Sequence, residues 1–313
     1  MKKLIWIITI AHALVWLGGC QSTTEQGNKA GVTDYVEVAP RVFSSAGAEG
    51  GYNQMVVPGD AVLLIVDVPG DTPRAKQEAA YWHKLQPNLR PLLVLTSSRA
   101  KAWAGYAEWK AAFPTLEVWM HTGTLAAASA AGLTGGIALD RPEMLDLGGV
   151  QAQFIPAGPA ATAGDMVVYL PPQKTLLSGW LVLDYTLPAI TDGDTAQWIN
   201  RLQELATLGL NQILPAHGEP LDIEALNWTR QYLVLLRSQI CLLKSQGYAD
   251  DDVYYFCRVP GYEKYTEGKE LYRENILYVL KEIREKGDVC TLPNKALPKY
   301  GPVTINEAQK GDL

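Results

Sequence analysis

Between residues 92 and 105 the chain reads LLVLTSSRAKAWAG, and four side chains in that stretch could do chemistry. Ser97 and Ser98 carry hydroxyls; Arg99 and Lys101 carry positive charge. A serine near a lysine is the starting material of a nucleophilic site, with the lysine as base once burial lowers its pKa. Such a site also needs an oxyanion-binding loop, and no G-x-S-x-G pattern accompanies the pair. The same two cations can instead hold a small anion, or pair with buried acids, for which Asp67 and Asp165 are the candidates. His121 closes an apolar run and reads as a strand-end residue, while His217 sits in a turn, LPAHG.

Elements must position these groups. Leu92 to Leu95 is an unbroken apolar run, the mark of a buried parallel strand, followed by a polar loop and then a helix from about Lys101. Before it, Tyr35–Phe43, Asn53–Val57 and Ala61–Val68 read as a meander of three strands, and Thr72–Leu85 as an amphipathic crossover helix with Pro73 in its first turn. After it come a strand at Leu116–Met120, a short helix in the small-residue stretch 123–131, and strands at Val150–Gly158, Met166–Leu170 and Thr175–Leu183. A helix from Asp194 to Leu208, with Asp194 as its N-cap, leads into a strand at Gln212–Ala216. Three helices follow, over Asp222–Ser245, Asp250–Cys257 and Gly268–Lys286.

The ten-residue frame from Thr96 to Gly105 resembles the T-H-x-H-x-D-H-x-x-G motif of the metallo-β-lactamase superfamily, which carries most of that family's metal ligands. Ser97 and Arg99 stand at the first two histidine positions, Lys101 at the aspartate and Ala102 at the third histidine. Asp67 in DVPG matches a supporting aspartate, and Gly158, Thr162, Gly164, Asp165 and Pro171 match a second motif. There Ala161 replaces a histidine ligand, and further on Trp180 replaces the aspartate that bridges two metals. His217 alone matches a ligand position. The resemblance implies an αββα sandwich of the α/β (α+β) class. A hydrolytic zinc needs about three protein ligands and a water. These positions offer one imidazole and two cations, so no metal cofactor and no catalytic residue is expected. The expectation is that Arg99 and Lys101 pair with Asp67 and Asp165, and that the indole of Trp180 fills the vacated space.

Lys2 and Lys3, the apolar run Leu4–Leu17 and the sequence Leu17-Gly18-Gly19-Cys20 resemble a bacterial lipoprotein signal, with Cys20 as the diacylated mature N-terminus. Gln21 after the cysteine resembles an outer-membrane address. The expected organisation is a signal peptide over 1–19, a lipidated tether over 20–33, a metallo-β-lactamase-like domain over 34–220, a helical extension over 221–290 and a polar tail over 291–313. In an oxidising envelope, Cys241, Cys257 and Cys290 allow one disulfide, with Cys241–Cys257 expected from their proximity in sequence. The 313 residues, 48% of them hydrophobic and 19% charged, belong to a globular chain, and a net charge of −6 excludes a nucleic-acid partner. The expected role is binding or scaffolding at the periplasmic face of the envelope. The partner is the membrane through Cys20, with a small anionic ligand or an envelope protein besides. The alternative is a hydrolase of the same superfamily with a modified site, in which zinc would be the cofactor.

Overall fold

A computed structural model describes residues 35–45, 51–70, 72–190, 192–266 and 269–287, all within one compact unit. The first sheet holds β1 (Tyr35–Ala39), β2 (Val42–Ser45), β3 (Gln54–Pro58), β4 (Val62–Val66), β5 (Arg90–Leu95), β6 (Glu117–His121) and β7 (Gly136–Leu139), side by side in chain order. Pairing is antiparallel from β1 to β4 and parallel from β4 to β7. The parallel half needs crossovers, which α1 (Thr72–Leu85), α2 (Tyr106–Ala112) and α3 (Thr122–Ala130) supply. The second sheet runs β12-β11-β10-β9-β8, from β8 (Glu143–Asp146), β9 (Gln151–Pro156), β10 (Met166–Leu170), β11 (Thr175–Gly179) and β12 (Gln212–Pro215). Helix α4 (Thr195–Leu205) links β11 to β12, and α5 (Ile223–Ser245), α6 (Asp250–Phe256), α7 (Glu263–Thr266) and α8 (Glu270–Lys286) complete the described chain.

Strand alternation sets the layers. In β4 and β5, Leu63, Ile65, Leu93 and Leu95 face the helices α1 and α2, packing with Trp82 and Trp109. Val62, Leu64, Val66, Leu92 and Val94 face the other way and meet Phe154, Val168 and Leu177 of the second sheet. The outer face of that sheet, through Val167, Leu176 and Ile213, shares one core with α4, α5, α6 and α8. The order of layers is therefore helices, sheet, sheet, helices, as expected.

The single strand expected over Tyr35–Phe43 is a hairpin, turned at Pro40 and Arg41, with Arg41 at φ 62° and its amide donating to Glu37. Strands β7 and β8 lie at the sheet edges, where none of their residues is fully buried and the apolar signal is thin. Asp194 does cap α4, accepting from Gln197 N at 2.9 Å.

Helices α5 and α8 run in the same direction. Tyr232 meets Asn275 at 3.0 Å, and five residues further along α5 and seven along α8 Arg237 meets Glu282 at 3.1 Å. Both members of the ion pair are buried, and Glu282 also accepts from Thr195 N and Thr195 Oγ1 at the start of α4. The expected Cys241–Cys257 disulfide is not formed. Cys257 is a free, buried thiol at the end of α6, held 3.7 Å from the Tyr272 hydroxyl, and burial pushes its pKa up to about 11. Cys241 has its partner outside the described residues, where Cys20 and Cys290 also lie.

Candidate functional site

Thr96, the first residue past β5, ties the two sheets together. Its N–H and its hydroxyl both donate to Asp67, at 2.7 and 2.5 Å, and its carbonyl accepts from Met166 N at 3.0 Å. Asp67 follows β4 with φ 53°, a left-handed backbone in which Asp is tolerated better than most residues. Gly179 ends β11 directly against the threonine. Its φ is +52° and a Cβ there would lie 2.1 Å from Thr96 Oγ1, so glycine is required. The result is a fixed launching point for the loop 97–101.

A second carboxylate is engaged in the same way. Asp165 accepts from Thr162 N at 2.6 Å and Thr162 Oγ1 at 2.8 Å, and Thr162 Oγ1 in turn accepts from Ser98 N at 3.2 Å. Burial pushes both Asp67 and Asp165 up to about 7, against which their threonine donors act. Ser97 is buried, 3.4 Å from Thr162 Oγ1, and accepts from Arg99 N. Ala102 and Ala161 are buried as well. The matched frames thus keep their hydrogen-bonded scaffolding while presenting methyl groups and hydroxyls.

The expected ion pairs with Asp67 and Asp165 do not form. Both acids are saturated locally by the threonines next to them, so the cations point elsewhere. Arg99 donates through Nη2 to Ala189 O at 2.7 Å, and its guanidinium lies 5.2 Å from the Trp180 ring centroid. It acts on Asp165 only at longer range, lowering the pKa against the dominant effect of burial. Lys101 donates to the Tyr52 hydroxyl, with Nζ 4.8 Å from that ring's centroid. Among the described residues Lys101 makes its hydrogen bond to Tyr52 and none to Ser97 or Ser98, so no serine–lysine pair is assembled here.

The indole of Trp180 does pack on His217, edge to face with centroids 5.0 Å apart. Tyr52 completes a trio, 4.1 Å from His217 and 5.1 Å from Trp180. An isolated bridge between Tyr52 and His217 holds it, along with Asn53, whose N donates to Ala216 O and whose Nδ2 donates to Pro215 O and Gly218 O. Burial lowers the His217 pKa, the Gly51 backbone opposes this, and the charge of Lys101 lowers it further, leaving a neutral ring. Tyr52 had no signal in the sequence, since a single aromatic after Gly50 and Gly51 has no spacing to mark it. Ala189 and Asn275, which flank the site, act through a carbonyl and a buried amide, both equally silent.

Zinc does not fit these residues. Of the positions that would ligate it, only His217 offers a donor, and two aromatic rings pack on that imidazole. Arg99 and Lys101 add positive charge where a dication would need donors. Among the described residues no group of three or more His, Cys, Asp or Glu side chains could hold a metal ion.

Two sheets packed face to face between helical layers, with this site where the parallel strands end, define a protein of the metallo-β-lactamase fold. Among solved structures it is similar to a metallo-β-lactamase from Pontibacter korlensis, at 22% identity over 64% of this chain and 98% of that one, with a TM-score of 0.55. The metallo-β-lactamase FIM-1 from Pseudomonas aeruginosa, solved in a mono-zinc form, gives 21% identity over 64% and 95% of the two chains and a TM-score of 0.54. The inverting sec-alkylsulfatase Pisa1 from Pseudomonas sp. gives 15% identity and a TM-score of 0.65 over 84% of this chain, which spans about half (52%) of that enzyme. No protein-family model matches the sequence, and no curated protein does.

Proposed function

We propose that this is a lipid-anchored envelope protein that uses a metallo-β-lactamase fold for binding, having exchanged its hydrolytic centre for a packed cluster of rings and cations. The observation that carries the reading is the trio of Tyr52, Trp180 and His217, capped by Arg99 and Lys101. Those side chains occupy the volume in which the resemblance would put metal, bridging carboxylate and water. Asp67 and Asp165 remain because they brace the loops. The anchor is the lipid on Cys20, which lies outside the described residues. No helix among the described residues is long and apolar enough to cross a membrane.

The test is metal content measured on protein purified from the envelope of cells grown with added zinc, iron and manganese. Substoichiometric amounts of all three are expected, with no turnover of β-lactam or alkyl sulfate reporters. Converting Ser97, Arg99 and Ala102 to His and Lys101 to Asp is expected to leave turnover absent, because Ala161 and Trp180 still block the other half of the centre. One equivalent of firmly held metal in the native protein would overturn the proposal.

A further inference from the structure

Among the described residues, the two cations on the rim of the ring cluster have no counter-ion within ion-pair distance. Every contact of Arg99 and Lys101 is accounted for, and none is a carboxylate within ion-pair distance. Arg99 uses Nη2 on Ala189 O, which leaves Nη1 without a partner among the described residues. Its Nε and the neighbouring Ser98 Oγ are both shielded from solvent and have no hydrogen-bond partner. Buried donors are rarely left in that state, and an orphan calls for a water, an ion or a ligand as its explanation. The carboxylates that could have neutralised this loop, Asp67 and Asp165, are saturated by Thr96 and Thr162.

The surroundings favour one class of ligand. Arg99 and Lys101 cap adjacent rings of one trio, since Trp180 and Tyr52 lie 5.1 Å apart. A guanidinium laid on an indole with one terminal nitrogen left open offers charge-assisted donors to an acceptor-only, negatively charged group. We propose that Arg99 and Lys101 form a binding subsite for a small oxyanion, a carboxylate or phosphate group, which docks on Arg99 Nη1 and Lys101 Nζ. Ser98 Oγ and Arg99 Nε become available when the anion draws the guanidinium off Trp180. This deepens the binding role proposed above and rests on it.

The experiment is a thermal-shift and calorimetric titration of the mature protein with inorganic phosphate, acetate and sulfate at constant ionic strength, with chloride as reference. Phosphatidylglycerol vesicles form a separate arm, which distinguishes a dissolved anion from a lipid headgroup. Saturable binding is expected in at least one arm. It should weaken about tenfold or more in both Arg99→Gln and Lys101→Gln, the loss of one charge-assisted hydrogen bond. Arg99→Lys, which keeps the charge but loses the fork, should fall between, and Lys76→Gln on the exposed face of α1 should bind as wild type does. No saturable binding in any arm, or binding unchanged by both Gln variants, overturns the subsite. Metal content on the same preparation reads the binding role independently: metal-free protein without anion binding sinks only the subsite.

Discussion

Replacing Asp67 with alanine removes the acceptor for two buried donors at once, Thr96 N and Thr96 Oγ1. Each buried donor left without a partner costs about 1–3 kcal/mol. Alanine at φ 53° adds about 1 kcal/mol of backbone strain, which asparagine largely avoids. Asp67→Ala should therefore lose about 4 kcal/mol at pH 6, and Asp67→Asn, which keeps one acceptor and tolerates the backbone, under about 1.5 kcal/mol. The pH dependence is a second readout. Folding raises the Asp67 pKa from 3.8 to about 7, so between those values the folded chain holds a proton that the unfolded chain has released. That contribution is full below 3.8 and is lost as pH rises through about 7, with a slope of up to about 1.4 kcal/mol per pH unit. Asp165 behaves alike, so Asp67→Asn should halve the fall in stability that the two carboxyls impose between pH 5 and 6.5. His121 and His217, both held neutral by burial, oppose this trend below their ordinary 6.5, but equally in both proteins. Urea unfolding followed by tryptophan fluorescence measures all of this. Alanine no worse than asparagine, or an unchanged pH slope in Asp67→Asn, would refute the argument that Thr96 and burial govern this carboxyl.

Cys241 is expected to pair with Cys290, because the shared direction of α5 and α8 sets Cys241 level with the end of α8, four residues before Cys290. Closing a loop of about 50 residues is worth about 4 kcal/mol; non-reducing peptide mapping that finds Cys257 in a bridge would disprove the pairing. Asn275→Ala should cost about 2–3 kcal/mol and speed hydrogen exchange at Ile190, whose N–H donates to Asn275 Oδ1; protection equal to wild type would show that α8 does not hold this segment. Cys20→Ala should give an uncleaved precursor that fails to partition with the outer membrane, and normal processing of that variant would rule out the lipid anchor.

The sandwich was legible in the sequence because its signals are periodic or local. Apolar runs marked β4, β5 and β10, and a cap marked α4. The frame from Thr96 to Gly105 and the stretch from Gly158 to Pro171 fixed where the loops meet. The residue types at the matched ligand positions were equally plain, since they need only the sequence. The destinations of Arg99 and Lys101 were not. Charge complementarity pointed them at Asp67 and Asp165, but a threonine adjacent in the fold satisfies each acid more cheaply than an arginine that would have to be buried beside it. The disulfide misled for a related reason: nearness in sequence put Cys241 with Cys257, whereas the parallel course of α5 and α8 depends on tertiary packing.

One face of α8 holds the segment that closes the site. Asn275 takes Pro188 O and Ile190 N, Tyr278 takes Gly193 O, and Glu282 takes Thr195 N, while Arg99 reaches the same segment from the other side at Ala189 O. The helical extension is thus structural to the site rather than an appendage. A fragment cut after residue 220, matching a free-standing lactamase in length, would bare Val167, Leu176, Ile213 and Trp198 to water and release the anchor of Arg99. Any change that loosens the far end of the chain is felt at Arg99 and at the ring cluster it caps.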